Sequence, residues 1–183
     1  MSGKPIIFIG ASGSGKSELA QYLVYNFEAI PIVSTTSRSP RIGEINGVHY
    51  HFKSLEEILE MIKDDKFVEY ANYSGNYYGT TVEELQNKLE KAKYIVNVME
   101  INGALAMKKK FPETIIVYID CPIDVLMTRM HSRGDSFESI TKRVKNYVEQ
   151  KEYENIQYAD YVVDNSKTLE ETYLQIRDIL EKI

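Results

Sequence analysis

The chain has 183 residues, 43% of them hydrophobic, which supports one domain with a substantial core and leaves little room for two. Its 22 Lys plus Arg against 27 Asp plus Glu give a formal charge of −5, which excludes a general attraction to nucleic acid polymers or anionic membrane and makes any phosphate affinity local. Cys121 is the single cysteine, so no internal disulfide forms, and no apolar stretch approaches the ~20 residues of a bilayer span; a cytoplasmic protein is expected, with Cys121 as a surface thiol or a small core residue.

Pro5-Ile6-Ile7-Phe8-Ile9 reads as a buried strand and runs directly into Gly10-Ala11-Ser12-Gly13-Ser14-Gly15-Lys16-Ser17, which fits the phosphate-loop pattern G-x-x-x-x-G-K-[ST]. The residue types suit a nucleotide. Glycines let backbone N–H groups close round phosphates, Lys16 brings a cation to the β/γ-phosphates, and the Ser17 hydroxyl is a ligand for Mg²⁺. A helix over 17–26 follows, its N-terminal dipole favouring anions. Residues 34–54 are polar, with Arg and Gly and little helical period, as a substrate-facing insertion would be. Ser54 with Glu57, and Thr81 with Glu84, each carry the spacing of a capping box at a helix start. Tyr94–Met99 and Thr114–Ile119 are β-branched apolar runs typical of strands buried on both faces, and Tyr161-Val162-Val163 adds a third. A closing helix carries Leu169, Tyr173, Ile176, Ile179 and Leu180. This alternation predicts an α/β fold, a parallel sheet with helices on both faces, and the charged stretches 83–93 and 142–156 read as solvated helices.

Residues 34–52 contain a second candidate phosphate site, with Arg38 and Arg41 around Pro40 and Tyr50 following. Guanidinium forks pair with phosphate oxygens, and a phenol donates without adding charge; the alternative is a solvated basic loop. The segment Thr36-Ser37-Arg38-x-x-Arg41-x-x-Glu44-x-x-Gly47-x-x-Tyr50-x-Phe52 resembles the signature of guanylate kinases. The resemblance continues in Phe67-Val68-Glu69-Tyr70, Ser74-Gly75-Asn76-Tyr77-Tyr78-Gly79-Thr80, Asn102-Gly103-Ala104, Arg129-x-x-x-Arg133-Gly134, Arg143 and Val162-Val163-Asp164-Asn165, covering nearly the whole chain.

The resemblance implies one domain of the P-loop NTPase type. Its core would be about 1–33, 82–122 and 160–183, with a GMP-binding insertion over about 34–81 and a helical lid over about 123–159. It implies that Arg38, Arg41, Tyr50, Tyr78, Gly79 and Thr80 face the GMP phosphate, that Ser34, Glu69 and Glu100 face the guanine, that Gly10 to Ser17 hold ATP with Mg²⁺, and that Asn165 lies near the ATP base. Arg129, Arg133 and Arg143 would converge on the transferring phosphoryl group, with Arg129 and Arg133 on one helix face if the helix persists. Chemistry supports the split: a carboxylate at Glu69 accepts from guanine N1–H and the 2-amino group, whereas adenine has an acceptor at N1 and no 2-amino group. The implied reaction is transfer of the ATP γ-phosphoryl group to GMP, and to dGMP, giving ADP and GDP.

The chain departs from the pattern at Asn97-Val98-Met99-Glu100, where the family usually has two aspartates; Val98 and Glu100 take their places, and Asn102 replaces the usual Gln. Strand periodicity puts Val98 and Glu100 on one face. Val98 cannot organise Mg²⁺, and Glu100 sets its carboxylate one carbon farther out. Two alternatives stay open: a nucleoside monophosphate kinase with changed base choice, and a non-catalytic guanylate-kinase-like binding module. His49, His51 and His131 form no metal-ligand cluster in sequence and are given no catalytic role; oligomeric state is left open.

Overall fold

The computed structural model describes residues 3–73 and 75–183. Met1, Ser2 and Ser74, the last quoted above in the acceptor segment, lie outside the described residues. Strands β1 (Lys4–Ile9), β2 (Ile30–Pro31), β7 (Tyr94–Val98), β8 (Ile115–Asp120) and β9 (Tyr161–Asp164) form one parallel sheet in the order β2-β7-β1-β8-β9. Its central strands are largely apolar because both faces are covered. Alternation assigns the faces: Ile6 and Phe8 pack with Leu19, Leu23, Ile176 and Ile179 from α1 (Lys16–Phe27) and α7 (Leu169–Lys182), while Ile7 and Ile9 pack with Leu85, Ala104 and Met107 from α3 (Val82–Leu89) and α4 (Ile101–Lys110). The α/β expectation is met.

A second, smaller sheet, ordered β4-β3-β6-β5, is built from β3 (Thr35–Thr36), β4 (His51–Phe52), β5 (Phe67–Tyr73) and β6 (Asn76–Thr81). Between β4 and β5 runs α2 (Leu55–Lys63), started by the full capping box: Ser54 Oγ accepts from Glu57 N, and the Glu57 carboxylate accepts from Ser54 N. Val68 of β5 enters the α3–α4 face of the main core, tying the small sheet to it. After β8, α5 (Ile123–Ser132) and α6 (Phe137–Glu149) pack Leu126, Met130, Ile140 and Tyr147 onto Ala11 and Cys121. Cys121 is therefore a buried core residue.

Several local expectations change. Thr81 caps α3 through Glu84 N, but Glu84 does not return the bond to Thr81; its carboxylate is buried and used elsewhere. Residues 142–156 are not one helix, because α6 ends at Glu149 and Lys151 takes a left-handed φ of 50° before a 3-10 stretch, Glu152–Tyr158. Arg133 caps the C-terminus of α5 instead of continuing its face. Strand β7 ends at Val98, so Glu100 is the N-cap of α4 and does not repeat the strand geometry of Val98.

The core prediction is direct. Ile7→Ala, at a fully buried position of the central strand, should destabilise the protein by about 2–5 kcal/mol in denaturant unfolding.

Candidate active site

The loop between β1 and α1 is shaped for anions. Helix α1 has no side-chain cap, and its N-cap Gly15 adopts φ 95°. A side chain there would be strained by the backbone and would strike the Asn165 amide. The first N–H groups of α1 are thus left facing the loop, as a phosphate site requires. Lys16 Nζ donates to the carbonyls of Gly10 at 2.7 Å and Ala11 at 2.6 Å, which seats its ammonium inside the loop. Burial pushes the Lys16 pKa below its ordinary value, an effect opposed by the carboxylates of Glu100 and Glu152 and reinforced by Arg133 and Arg143. Ser17 is exposed on the first turn of α1. The Ser14 hydroxyl is buried without a hydrogen-bond partner.

The Asn165 side chain is turned inward. Its Nδ2 donates to Ser14 O at 2.8 Å and its Oδ1 accepts from Thr172 Oγ1 at 2.9 Å, with the residue 1% exposed. Both ends of the amide are engaged, so Asn165 braces the phosphate loop against α7.

Arg129, Arg133 and Arg143 divide around Ser12. Arg129 and Arg133 line a groove with Ser12, Gly13, Gly15, Lys16 and Ser17. Arg143 lines the neighbouring cavity with Gly10, Ala11, Lys16, Glu100 and Glu152, and its Nη1 donates to Ser12 Oγ at 2.6 Å. Arg133 is held by Asp135 through two bonds of 3.0 and 2.6 Å, and Arg129 points its Nη1 at Cys121 Sγ, 3.7 Å away. Glu152 carried no motif; the fold alone brings it here. Burial raises its pKa, as does Glu100, while Lys16 lowers it.

Ser34, Glu69 and Glu100 come together as expected, lining a cavity of about 730 Å³ with Val98, Asn97, Asn102 and Gly103, a size that suits a nucleoside. Burial pushes the Glu69 carboxyl above its ordinary range, partly offset by the Thr80 hydroxyl and N–H beside it. Thr80 pairs with Glu69 across β5–β6 and is fully buried. Glu100 also borders the phosphate-loop cavity, so it stands where the two sites meet.

Arg38, Tyr50 and Tyr78 gather at the other end of the small sheet. The Arg38 guanidinium lies 5.5 Å from the Tyr50 ring centroid, the Tyr50 and Tyr78 rings are 6.0 Å apart, and Tyr78 contacts Arg38. Gly79 lies beside Tyr78 on β6, opposite Thr35. Glu44, given no role from sequence although it sits in the signature, organises this corner. Its carboxylate takes both Arg38 terminal nitrogens, at 2.8 and 3.0 Å, and the Arg41 N–H at 2.6 Å, which holds its pKa down at about 2. The Arg41 side chain stays exposed.

Replacing Asn165 by Ala should leave the buried Ser14 carbonyl unpaired, costing about 1–3 kcal/mol of stability. Calorimetric titration of that variant should show weakened ATP binding with GMP binding retained.

Comparison with known proteins accords with this geometry. The guanylate kinase family model matches residues 2–183. The guanylate kinase of Desulfitobacterium hafniense (strain Y51) is 38% identical over 165 residues, covering 88% of this chain and 82% of that protein. The Neisseria meningitidis guanylate kinase is 40% identical over 167 residues, covering 89% and 80%. The Bacillus subtilis guanylate kinase is 37% identical over 165 residues, covering 87% and 79%. The crystal structure of guanylate kinase from Anaplasma phagocytophilum shares the fold, with a TM-score of 0.67 at 24% identity over 99% of this chain and 86% of that one. The chain belongs to the guanylate kinase family.

Proposed function

We propose that the chain transfers the γ-phosphoryl group of ATP to GMP, giving ADP and GDP, and to dGMP, giving ADP and dGDP. The observation that carries the reading is the adjacency of two differently built cavities: a phosphate loop with Lys16, and a carboxylate-lined chamber holding Ser34 and Glu69, with Glu100 bordering both. The binding-module alternative has nothing specific in its favour, since Lys16, Ser17 and all three lid arginines are present.

A GMP phosphate oxygen attacks the γ-phosphorus in line, the bond from that phosphorus to the β–γ bridging oxygen breaks, and ADP leaves. An ionised phosphate is a competent nucleophile, so the chain's work is positioning, charge neutralisation and exclusion of water. Arg38, oriented by Glu44, with Arg41, Tyr50, Tyr78 and the strand backbone at Gly79 and Thr80, takes the acceptor phosphate. Lys16 and the loop N–H groups from Gly10 to Ser17 take the ATP phosphates. Arg129, Arg133 and Arg143 bring charge from the lid; a positioned arginine of this kind contributes ~10³ or more in rate. In this reading the core is about 1–33, 82–122 and 160–183, the acceptor insertion about 34–81 and the lid about 123–159.

Mg²⁺ fits as an ion arriving with ATP. The exposed Ser17 hydroxyl and the Glu100 carboxylate are hard oxygen donors bordering the loop cavities, and among the described residues no group of acidic, His or Cys side chains forms a cage of its own. Bound with ATP, the ion neutralises phosphate charge. Val98 adds no oxygen and packs against the main core.

The testing experiment is steady-state ADP release with ATP, Mg²⁺ and each of GMP, dGMP, AMP, CMP and UMP. Turnover selective for GMP and dGMP supports the reading; turnover favouring another base, or none with any, sinks it. Glu69→Gln should impair GMP use roughly 10–10²-fold while leaving ATP binding little changed, because the amide oxygen still accepts one guanine N–H but the amide nitrogen faces the other donor and leaves it unpaired. The ionised Glu69 is the acceptor, so GMP affinity should fall as pH drops through its raised pKa, on the neutral side of the ordinary carboxyl value of about 4.3. The Glu69 part of that acid limb should vanish in Glu69→Gln, leaving the limb set by the GMP phosphate, whose second pKa is about 6.

A further inference from the structure

We infer that Glu84, with His51, is a positioning residue for the phosphoryl acceptor, a clasp that fixes the base-facing Ser34 and the phosphate-facing Tyr50 with one carboxylate. The inference rests on the reading that GMP occupies the cavity lined by Ser34 and Glu69.

Glu84 stands where the small sheet joins the main core. The chain leaves the core through Ile32-Val33-Ser34 and returns through Thr81 into α3. Glu84 is 8% exposed. Its Oε1 accepts from Val33 N at 2.7 Å and pairs with Lys88 Nζ at 2.5 Å, while Lys88 also donates to Pro31 O. Its Oε2 lies 3.0 Å from His51 Nε2. An ionised carboxylate only accepts, so the imidazole donates. His51 N in turn donates to Ser34 O at 2.9 Å. The bonds close a ring, from Glu84 to Val33, along the chain to Ser34, across to His51 and back to Glu84.

That ring has no place in helix capping, where the carboxylate would have turned back to Thr81. Burial alone would raise the Glu84 pKa, yet the bonds from Lys88, Val33 N–H and His51 outweigh it and hold the carboxyl low. The charged form is therefore the one the site is built around. Ser34 belongs to the ring itself. Tyr50 precedes His51 in the chain, and its ring lies under Arg38. Loss of the clasp lets both ends of the acceptor site shift while the phosphate loop, at the C-terminal end of β1, keeps its own bonds to Lys16 and Asn165.

The test is steady-state kinetics with ATP and GMP varied in turn, calorimetric titration with GMP alone, and thermal unfolding. The proteins are wild type, Glu84→Gln, His51→Leu, His51→Gln and the Glu84→Gln/His51→Leu double variant. Each of Glu84→Gln and His51→Leu should raise KM and Kd for GMP about tenfold, below the ~10²-fold that a 1 Å misplacement can cost, with KM for ATP changed less than about twofold. The double variant should fall well short of the product, since one ring is opened once. His51→Gln, which keeps a donor, should recover most of the loss. His51 is half-exposed, so its variants read the clasp even where a change at buried Glu84 disturbs folding. Equal changes in both KM values, no change in either, or a multiplicative double variant would overturn the clasp. Wild-type turnover of GMP reads the underlying assignment separately: with that intact and the variants unchanged, only the clasp fails.

Discussion

The constraint on which the structure turns is the meeting of two phosphate anions in an acidic protein. A chain of net charge −5 cannot hold them by its overall field; it must place a few cations where negative charge meets. Each of those cations is already oriented by the protein: Lys16 by the Gly10 and Ala11 carbonyls, Arg38 by Glu44, Arg133 by Asp135, and Arg143 by the Ser12 hydroxyl. Orientation in advance is what gives fixed charges their catalytic value, because little reorganisation is left for the moment of reaction. The carboxylates Glu44 and Asp135 hold Arg38 and Arg133 in place although they carry the opposite sign.

The main sheet makes this arrangement affordable in structural terms. Parallel strands bring their C-terminal ends to one edge, the usual place for ligands in open α/β sheets. There β1 delivers the phosphate loop, β7 delivers Glu100, and β9 delivers Asn165 to brace Ser14 from behind. Apolar contacts on both faces hold these ends in register, and α5 and α6 pack on Ala11 within the phosphate loop itself. Core packing, loop shape and the placement of α5 and α6 are therefore linked through shared residues.

Local pattern made much of this legible. The phosphate loop is a contiguous motif set by backbone geometry, the buried strands are apolar runs, and the Ser54 capping box closes within four residues. What local pattern missed has two causes: a side chain engaged by a distant partner, or an element that stops short. Glu84 has the spacing of a capping box but satisfies Val33, Lys88 and His51. Asn165 follows a strand at the expected place, yet Ser14 and Thr172 claim its amide. Val98 and Glu100 lost their common face because β7 stops between them, and α5 ends at Ser132 with Arg133 only its C-cap. Glu152 carried no local signal, since only the break after α6 turns it toward Lys16.

The central claim is phosphoryl transfer between two held anions, with water kept out. Phosphorus-31 NMR of the protein with ATP, GMP and Mg²⁺ tests it most directly, because it identifies the product as well as the loss of ATP. GDP appearing in step with ADP, with little inorganic phosphate, is the predicted result; ADP accompanied by inorganic phosphate and no GDP would contradict the account.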